Sequence, residues 1–420
     1  MPRQVAATLL LIFLAVIGVN WPELPYNARI ADVIFIPLAI VILTRPGAKW
    51  TWRSADLAVA AYLLGALPSI FVSSDSRQSV IEFSREVYLG AIYVIVAIAV
   101  QQGFARTIAI GLAFGAAMLS VLGLAVLTLQ RITGAEWTMI GEVMQLPYIG
   151  GTLRLRALTA TPAMLACVLT AAAPFAIALC RERARHWCAA SIAMMIAAFF
   201  TFSHVIAGLA VAVLITAWPA LEAWTRLRRL AIAGVAAIII AFNVAATISI
   251  TSFRYGDVDY ADATRYQYAV GQGEAQLGGA AITYNVMSYA RIKQVAWRTF
   301  VEHPIAGIGL DQFHSATRRA AETGALTFNY REIDPHSTLI GRFAESGIIG
   351  GLTLVLLWIA WAMMARDVVR GGVEPAIGYA AMAALAGLFI AGINADIMNF
   401  RFLWVAAGLL RGAIQTHPRP

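Results

Sequence analysis

The sequence predicts an all-α integral membrane protein with about twelve transmembrane helices and one long helical loop outside the membrane. Hydrophobic residues make up 60% of the 420 residues, charged residues make up only 13%, and the mean hydropathy is +0.73. A soluble domain carries roughly 25% charged residues. The formal net charge of +8 comes mostly from short loops between apolar runs, which is the positive-inside pattern. We therefore expect membrane lipids as partners and no nucleic acid.

Crossing the ~30 Å of hydrocarbon takes roughly 17–25 apolar residues, and about twelve runs approach that length. The predicted spans are 5–20, 28–44, 54–72, 79–101, 105–128, 157–180, 187–201, 204–220, 230–250, 338–365, 376–394 and 398–415. The first run could be a signal peptide, but the many later spans favour an uncleaved first helix. Runs seven and eight could be one run. Because that run is too long for one crossing and is broken by polar residues, we predict a tight hairpin at 201–204.

The distribution of arginine and lysine orients the predicted helices. With twelve spans both termini share a side, and the loops rich in basic residues then all fall on that side, which is cytoplasmic. Two larger loops, 129–156 and 251–337, fall outside. The chain is thus expected to comprise nine helices in 1–250, a loop domain in 251–337 and three helices in 338–420. The three cysteines lie in or beside apolar runs and predict neither a disulfide framework nor a metal site.

The 251–337 loop contains enough aromatic residues to fold against the helices. Within it, residues 284–302 read as an amphipathic helix whose polar face carries Arg291, Gln294 and Arg298. Pro304 and the glycines after it would end this helix. The glycine-rich stretch 271–279 is expected to be a loop tip, with a mobile lid as the alternative.

A titratable side chain stands where this loop meets the tenth span, in the sequence Asp334-Pro335-His336. Asp334 can cap a helix and Pro335 fits a first helical turn, so His336 would lie among unpaired backbone N–H groups. Such a histidine suits acid–base chemistry. The alternative is a surface histidine without a function.

Arginines on the outer side are the second candidate feature, because arginine binds phosphate oxygens through two parallel hydrogen bonds. Arg156 stands at the start of the sixth span, and Arg291 and Arg298 share one helix face. Ion pairs with acidic residues or contacts with lipid headgroups are the alternatives.

Two further patterns carry less weight. The pair Asp257 and Asp259 could hold a divalent metal, although such triplets occur by chance, so no metal or other cofactor is expected. Arg85 lies among Glu82 and Glu86 in the fourth span, which predicts a structural ion pair at helical spacing. No nucleotide-binding Gly-x-x-x-x-Gly-Lys-Ser/Thr or hydrolase Gly-x-Ser-x-Gly motif occurs.

Taken in order, these segments resemble the O-antigen ligase and polymerase superfamily. Residues 303–313, HPIAGIGLDQF, resemble its "hPl.GiG...F" signature, and 335–350, from Pro-His-Ser to Glu-x-Gly-x-x-Gly, resemble its "HN.yL...xE.G..G" signature. Ser337 stands where the family has asparagine. Arg291 and Arg156 match family arginines, whereas His204 stands where the family usually has arginine.

The resemblance implies transfer of a glycan from undecaprenyl diphosphate to an acceptor hydroxyl at the periplasmic face of the bacterial inner membrane. A ligase uses lipid A–core as the acceptor, and a polymerase uses another lipid-linked glycan. We expect the ligase; the polymerase is the alternative, and a transporter of lipid-linked glycan is an alternative of another class.

The roles of the residues follow from this chemistry. His336 would be the general base, and Arg156 and Arg291 would bind the diphosphate with help from His204 or Arg298. Glu345 and Asp334 are expected to support the site. A helix N-terminus would keep His336 neutral, whereas Asp334 would favour its protonation, and the sequence leaves that balance open.

Overall fold

The computed structural model describes residues 3–20, 28–46, 50–135, 137–146, 150–182, 184–221, 225–255, 258–261, 269–277, 279–326, 334–371 and 375–414. The helices are α1 (Arg3–Val16), α2 (Ile30–Leu43), α3 (Ser54–Val72), α4 (Ser76–Ala99), α5 (Ala105–Thr133), α6 (Pro162–Arg181), α7 (Arg185–Phe199), α8 (Ile206–Leu221), α9 (Thr225–Thr247), α10 (Ser288–Glu302), α11 (Phe313–Glu322), α12 (Thr338–Gly371), α13 (Pro375–Ala391) and α14 (Arg401–Ala413). A π-helical turn, Val100–Phe104, joins α4 to α5.

The structure confirms a helical membrane protein. In the described part of the chain, five helical segments are long and apolar enough to cross a membrane, and one of them, Ser76–Thr133, contains both α4 and α5. Gly103 has φ 82° and interrupts that segment. Each of the predicted apolar runs contains a helix. Because several of these helices are shorter than a full crossing needs, the twelve-span arrangement and its division at 251 and 338 stay predictions. The predicted break between the seventh and eighth runs is confirmed, because α7 ends at Phe199 and α8 begins at Ile206, and each of the two helices packs against α6.

The loops correct the all-α prediction, because both larger loops contain strands. The first contains an antiparallel hairpin of β1 (Gly141–Leu146) and β2 (Gly150–Leu155). The second contains β3 (Ile248–Tyr255), β4 (Val258–Ala261), β5 (Ala269–Leu277) and β6 (Ala280–Met287) in the order β4-β3-β6-β5. The stretch 271–279 is therefore largely strand rather than a loop tip. The predicted amphipathic helix begins at Ser288, because 284–287 pair with β3 and β5.

Three clusters, each of a carboxylate, an arginine and a tyrosine, tie helices from early in the chain to helices near its end. We call them the ion clusters: Asp32–Arg401–Tyr88, Asp56–Arg411–Tyr93 and Glu86–Arg342–Tyr62. The second is the most enclosed, with Arg411 0% and Asp56 3% exposed. These contacts hold α14 against α2, α3 and α4, and α12 against α3 and α4. The predicted ion pair of Arg85 with Glu82 is confirmed.

The α6–α7 turn carries a feature that the sequence reading did not predict. Cys180 and Cys188 form a disulfide there, with their Cα atoms 5.0 Å apart. Cys180 is one residue from the end of α6 and Cys188 lies in the first turn of α7. The helical hairpin brings together two cysteines that looked unrelated in the sequence.

Candidate functional site

Two histidines and a tyrosine form the centre of the candidate site. The His336 ring stacks on the Tyr289 ring with centroids 4.6 Å apart and an interplanar angle of 25°. The His204 ring meets Tyr289 edge-on at 5.3 Å. Tyr289 lies in the first turn of α10 and His204 lies in the α7–α8 turn. The structure thus brings together two predicted site residues from distant parts of the sequence.

The backbone around His336 differs from the predicted helix cap. His336 has φ 47°, which excludes it from the helix, and α12 begins at Thr338 with the Ser337 carbonyl accepting from the Gly341 amide. Asp334 is therefore not the cap. The Thr338 hydroxyl donates to the Ala395 carbonyl at 2.8 Å and accepts from the Ile397 amide at 2.9 Å. These bonds fix the start of α12 to the α13–α14 loop.

A half-buried lysine lies beside this aromatic group. Lys293 is one helical turn after Tyr289 on α10, and its Nζ donates to Asn394 Oδ1 at 2.7 Å. Asn394 Nδ2 in turn donates to Asn243 Oδ1 at 3.0 Å. The sequence reading missed Lys293 and Tyr289. Their spacing of four residues, which places them on one helix face, is the signal that could have found them.

Burial and positive charge lower the pKa of both histidines. For His336, burial is the largest cause, Asp334 opposes it and Lys293 adds to it, so the pKa lies below its usual value. For His204, burial, Arg154, Lys293 and His336 together lower the pKa to about 4. Burial also lowers the pKa of Lys293. Both shifts favour the neutral imidazole over the protonated one.

The turn that carries His204 is bonded to the end of β2, directly before Arg156. The Leu155 amide donates to the Phe200 carbonyl at 2.8 Å, and Arg154 Nε donates to the Thr201 carbonyl at 2.9 Å. Arg154 also pairs with Glu142 at 3.2 Å. Arg156 donates through Nε to the Thr159 carbonyl at 3.2 Å, at the entrance to α6. Hydrogen bonds therefore hold the segment before Arg156 against the turn that carries His204.

Arg291 and Arg298 occupy the exposed face of α10, as their spacing predicted. Arg291 Nη1 donates to Gln294 Oε1 at 3.1 Å. Arg298 pairs with Glu302 at 2.8 Å, and its side chain is 80% exposed. The charge that acts on both histidines is Lys293, which projects from another side of the same helix. The structure therefore adds a third candidate cation to the two predicted on α10.

Asp334 links His336 to the neighbouring helix α11. Its Oδ1 lies 3.5 Å from His314 Nε2, and the same nitrogen lies 3.6 Å from Asp311 Oδ1. His314 stands in the first turn of α11. His314 thus connects Asp334, which precedes the 335–350 motif, to Asp311 in the 303–313 motif.

The two loop motifs meet at a break in α12. Gly347 has φ 63° and ψ −162°, which interrupts the helix. The Ile308 amide donates to the Ala344 carbonyl at 3.2 Å, the Gly309 amide donates to the Glu345 carbonyl at 2.9 Å, and the Ile348 amide donates to the Pro304 carbonyl at 2.8 Å. The 303–309 loop therefore satisfies backbone groups that the break leaves unpaired. Glu345 Oε1 also accepts from the Phe313 amide at 3.3 Å, a contact that anchors α11.

Backbone strain concentrates in these same segments. In the described ranges, the non-glycine residues with positive φ are Ala157, Leu158, Phe202, Asp311 and His336. Each lies within two residues of Arg156, His204 or His336, or in the 303–313 motif. Such conformations cost of order 1–3 kcal/mol each and cluster at functional sites.

The described residues contain no group of three His, Cys, Asp or Glu side chains placed to hold a metal ion. The predicted metal site at Asp257 and Asp259 falls on Asp257 and on the side chain of Asp259, which lie outside the described residues.

A comparison with protein families agrees with the resemblance seen in the motifs. Residues 189–355 match the family Wzy_C, described as O-antigen ligase. The matched segment includes His204, α10, both loop motifs and His336, whereas Arg156 precedes it. A comparison with curated proteins finds no match to the chain. The family match supports a multi-pass membrane protein of the O-antigen ligase or polymerase type that transfers glycans.

Proposed function

Because residues 189–355 carry the O-antigen ligase domain, we propose that this chain transfers a glycan from undecaprenyl diphosphate to an acceptor hydroxyl at the periplasmic face of the inner membrane. The acceptor that we propose is lipid A–core. The observation that carries the proposal is His336, whose pKa is lowered by burial, stacked on Tyr289 beside the half-buried cation Lys293.

In the proposed reaction His336 is the general base. The acceptor hydroxyl oxygen attacks the anomeric carbon of the glycan and forms the new glycosidic bond. The bond from that carbon to the phosphate oxygen breaks, and undecaprenyl diphosphate leaves with the electron pair. His336 takes the hydroxyl proton, and a lowered pKa keeps its ring unprotonated for this step. Direct displacement inverts the anomeric configuration.

The departing diphosphate needs fixed positive charge. We assign Arg156, Arg291 and Lys293 to it, with Arg298 on the same exposed face as Arg291. His204 stands where the family has arginine, and its pKa of about 4 makes it a neutral hydrogen-bonding group rather than a cation. Lys293 is a cation that acts on both histidines, and we propose that it supplies the positive charge that the missing arginine would have supplied.

The polymerase stays the second candidate within this chemistry, because His204 departs from the family pattern. A transporter of lipid-linked glycan is the candidate of another class. It would bind the same donor but would need no base.

The test is a transfer assay with purified protein in detergent, a lipid-linked glycan donor and lipid A–core. We expect the glycan to appear on lipid A–core by mass, with and without a chelator. Growth of the glycan on undecaprenyl diphosphate would identify a polymerase. If the protein binds the donor but transfers no glycan, the transporter is favoured. Loss of activity with chelator would support a metal site at Asp257 and Asp259.

A further inference from the structure

A second concave surface lies along α11, the helix whose His314 contacts Asp334. Its cavity volume is about 760 Å³, and its walls are the end of α3, the 303–308 loop and the face of α11 that carries Ser315, Arg318, Arg319 and Glu322. The catalytic scheme above uses none of these side chains. We call this surface the α11 groove.

One side of the α11 groove is apolar and continues onto the outside of the helix bundle. Val72 lines the groove and is 53% exposed, and Ile305 in the loop is 68% exposed. Phe71, next to Val72, is 87% exposed. These two α3 residues end a helix that is long and apolar enough to cross a membrane. In the predicted topology this is the outer end of the third span, so the groove is expected to open at the depth where acyl chains meet headgroups.

The opposite side of the groove is basic. Arg318 and Arg319 are both exposed and line it, and Glu322 is the acidic side chain one turn further along α11. Within the described ranges, neither guanidinium takes part in an ion pair. Guanidinium groups match phosphate oxygens in geometry as well as charge. An apolar wall at membrane depth with a basic rim is complementary to a lipid that carries a phosphate-bearing headgroup.

We propose that the α11 groove binds the phosphate-bearing headgroup of the acceptor glycolipid, with its acyl chains along the end of α3. This inference rests on the proposed function. The donor diphosphate is assigned to Arg156, Arg291 and Lys293, so the basic rim of the groove serves the other substrate. His314 on α11 contacts Asp334, two residues from His336. The groove residue Arg318 is one helical turn after His314, so α11 connects the groove to the proposed base.

The experiment measures binding rather than transfer, so that it does not depend on catalysis. The protein with the substitution His336→Ala is placed in nanodiscs of neutral phospholipid that contain lipid A carrying a photoreactive acyl chain, and crosslinking is titrated against the lipid A content. We expect Arg318→Gln and Arg319→Gln each to weaken capture about fivefold, the scale expected for one basic residue at a membrane surface. Glu322→Gln removes a negative charge that would repel the lipid phosphate, so this variant should strengthen capture.

The matched control is Arg131→Gln, an exposed arginine in the last turn of α5 on the same predicted side. It should leave capture unchanged. Unchanged capture in both α11 variants would overturn the proposal, as would competition by phosphatidylglycerol or inorganic phosphate equal to that by unlabelled lipid A. If capture follows the predicted pattern while the wild-type protein transfers no glycan, the proposed function fails and the groove assignment stands.

Discussion

The ion clusters and the His336 site use similar side chains in opposite ways. In the clusters each arginine is enclosed and bonded to a carboxylate, as Arg411 is to Asp56 through Nε at 2.9 Å and Nη2 at 2.9 Å. At the site the cations contact neutral groups, as Lys293 contacts Asn394, or stand exposed, as Arg291 does. Charge that is neutralised inside the fold holds helices together. Charge that is not neutralised at the surface is available to an anionic substrate.

The largest effect on stability should come from breaking an ion cluster. Asp56→Asn leaves Arg411 buried without a carboxylate, and removal of one partner of a buried pair costs about 3–5 kcal/mol. Thermal unfolding of the purified protein in detergent should show a large fall in Tm. The double substitution Asp56→Asn with Arg411→Met should recover most of it. An unchanged Tm for Asp56→Asn would mean that the cluster does not stabilise the fold.

The break in α12 should be the next most sensitive point. A Cβ atom on Gly347 would clash with the Ile305 carbonyl oxygen, and the backbone there is of a kind that is essentially restricted to glycine. We expect Gly347→Ala to cost at least about 1–3 kcal/mol, measured by unfolding, and to reduce transfer because the 303–309 loop moves. Gly234→Ala is the control: that position lies in α9 with open space around it, and alanine should be neutral or stabilising there. Equal behaviour of the two variants would contradict the role of the break.

At the site, by contrast, removal of a cation should spare stability and reduce turnover. Loss of a hydrogen bond to a charged group costs about 1.5–3 kcal/mol, so we expect Lys293→Gln to lower kcat about 10- to 100-fold with Tm nearly unchanged. Arg131→Gln is the control, since Arg131 is an exposed arginine in the last turn of α5 and has no part in the proposed reaction. Equal kinetics for Lys293→Gln and the wild type would remove Lys293 from the diphosphate site.

The smallest effect should be a shift of the pH profile. The base must be unprotonated, so kcat/KM should rise with pH through the pKa of His336, below the usual histidine value. Asp334 raises that pKa and Lys293 lowers it. The acidic limb should therefore move to lower pH in Asp334→Asn and to higher pH in Lys293→Gln, by about one unit or less. Shifts in the same direction, or none, would show that these charges do not act on the catalytic group.

The sequence was sufficient for features that depend on local periodicity. Hydrophobic runs located the helices, the polar residues at 201–204 located the break between α7 and α8, and the 3.6-residue period placed Arg291 and Arg298 on one exposed face. Each of these depends on neighbours within a few turns of the chain.

Features that depend on tertiary contact were not predictable. The strands in 248–287 exist because four segments pair with one another, and the glycines in β5 looked like a loop in isolation. The helix start at Thr338 is set by its bonds to the α13–α14 loop. Lys293 was overlooked because its significance comes from His204, in a distant turn. The motifs predicted that 303–309 and 345–350 matter, but only the structure shows that they fill one helix break together.

The central claim is that His336 is the base, and the most direct measurement is the transfer rate of purified His336→Ala in saturating donor and acceptor. General-base catalysis contributes typically about 10²–10⁴-fold, so the variant should insert, keep its Tm and bind donor, yet transfer glycan at least about a hundredfold more slowly at pH values above the pKa of His336. Transfer at the wild-type rate by a correctly folded His336→Ala protein would contradict the account.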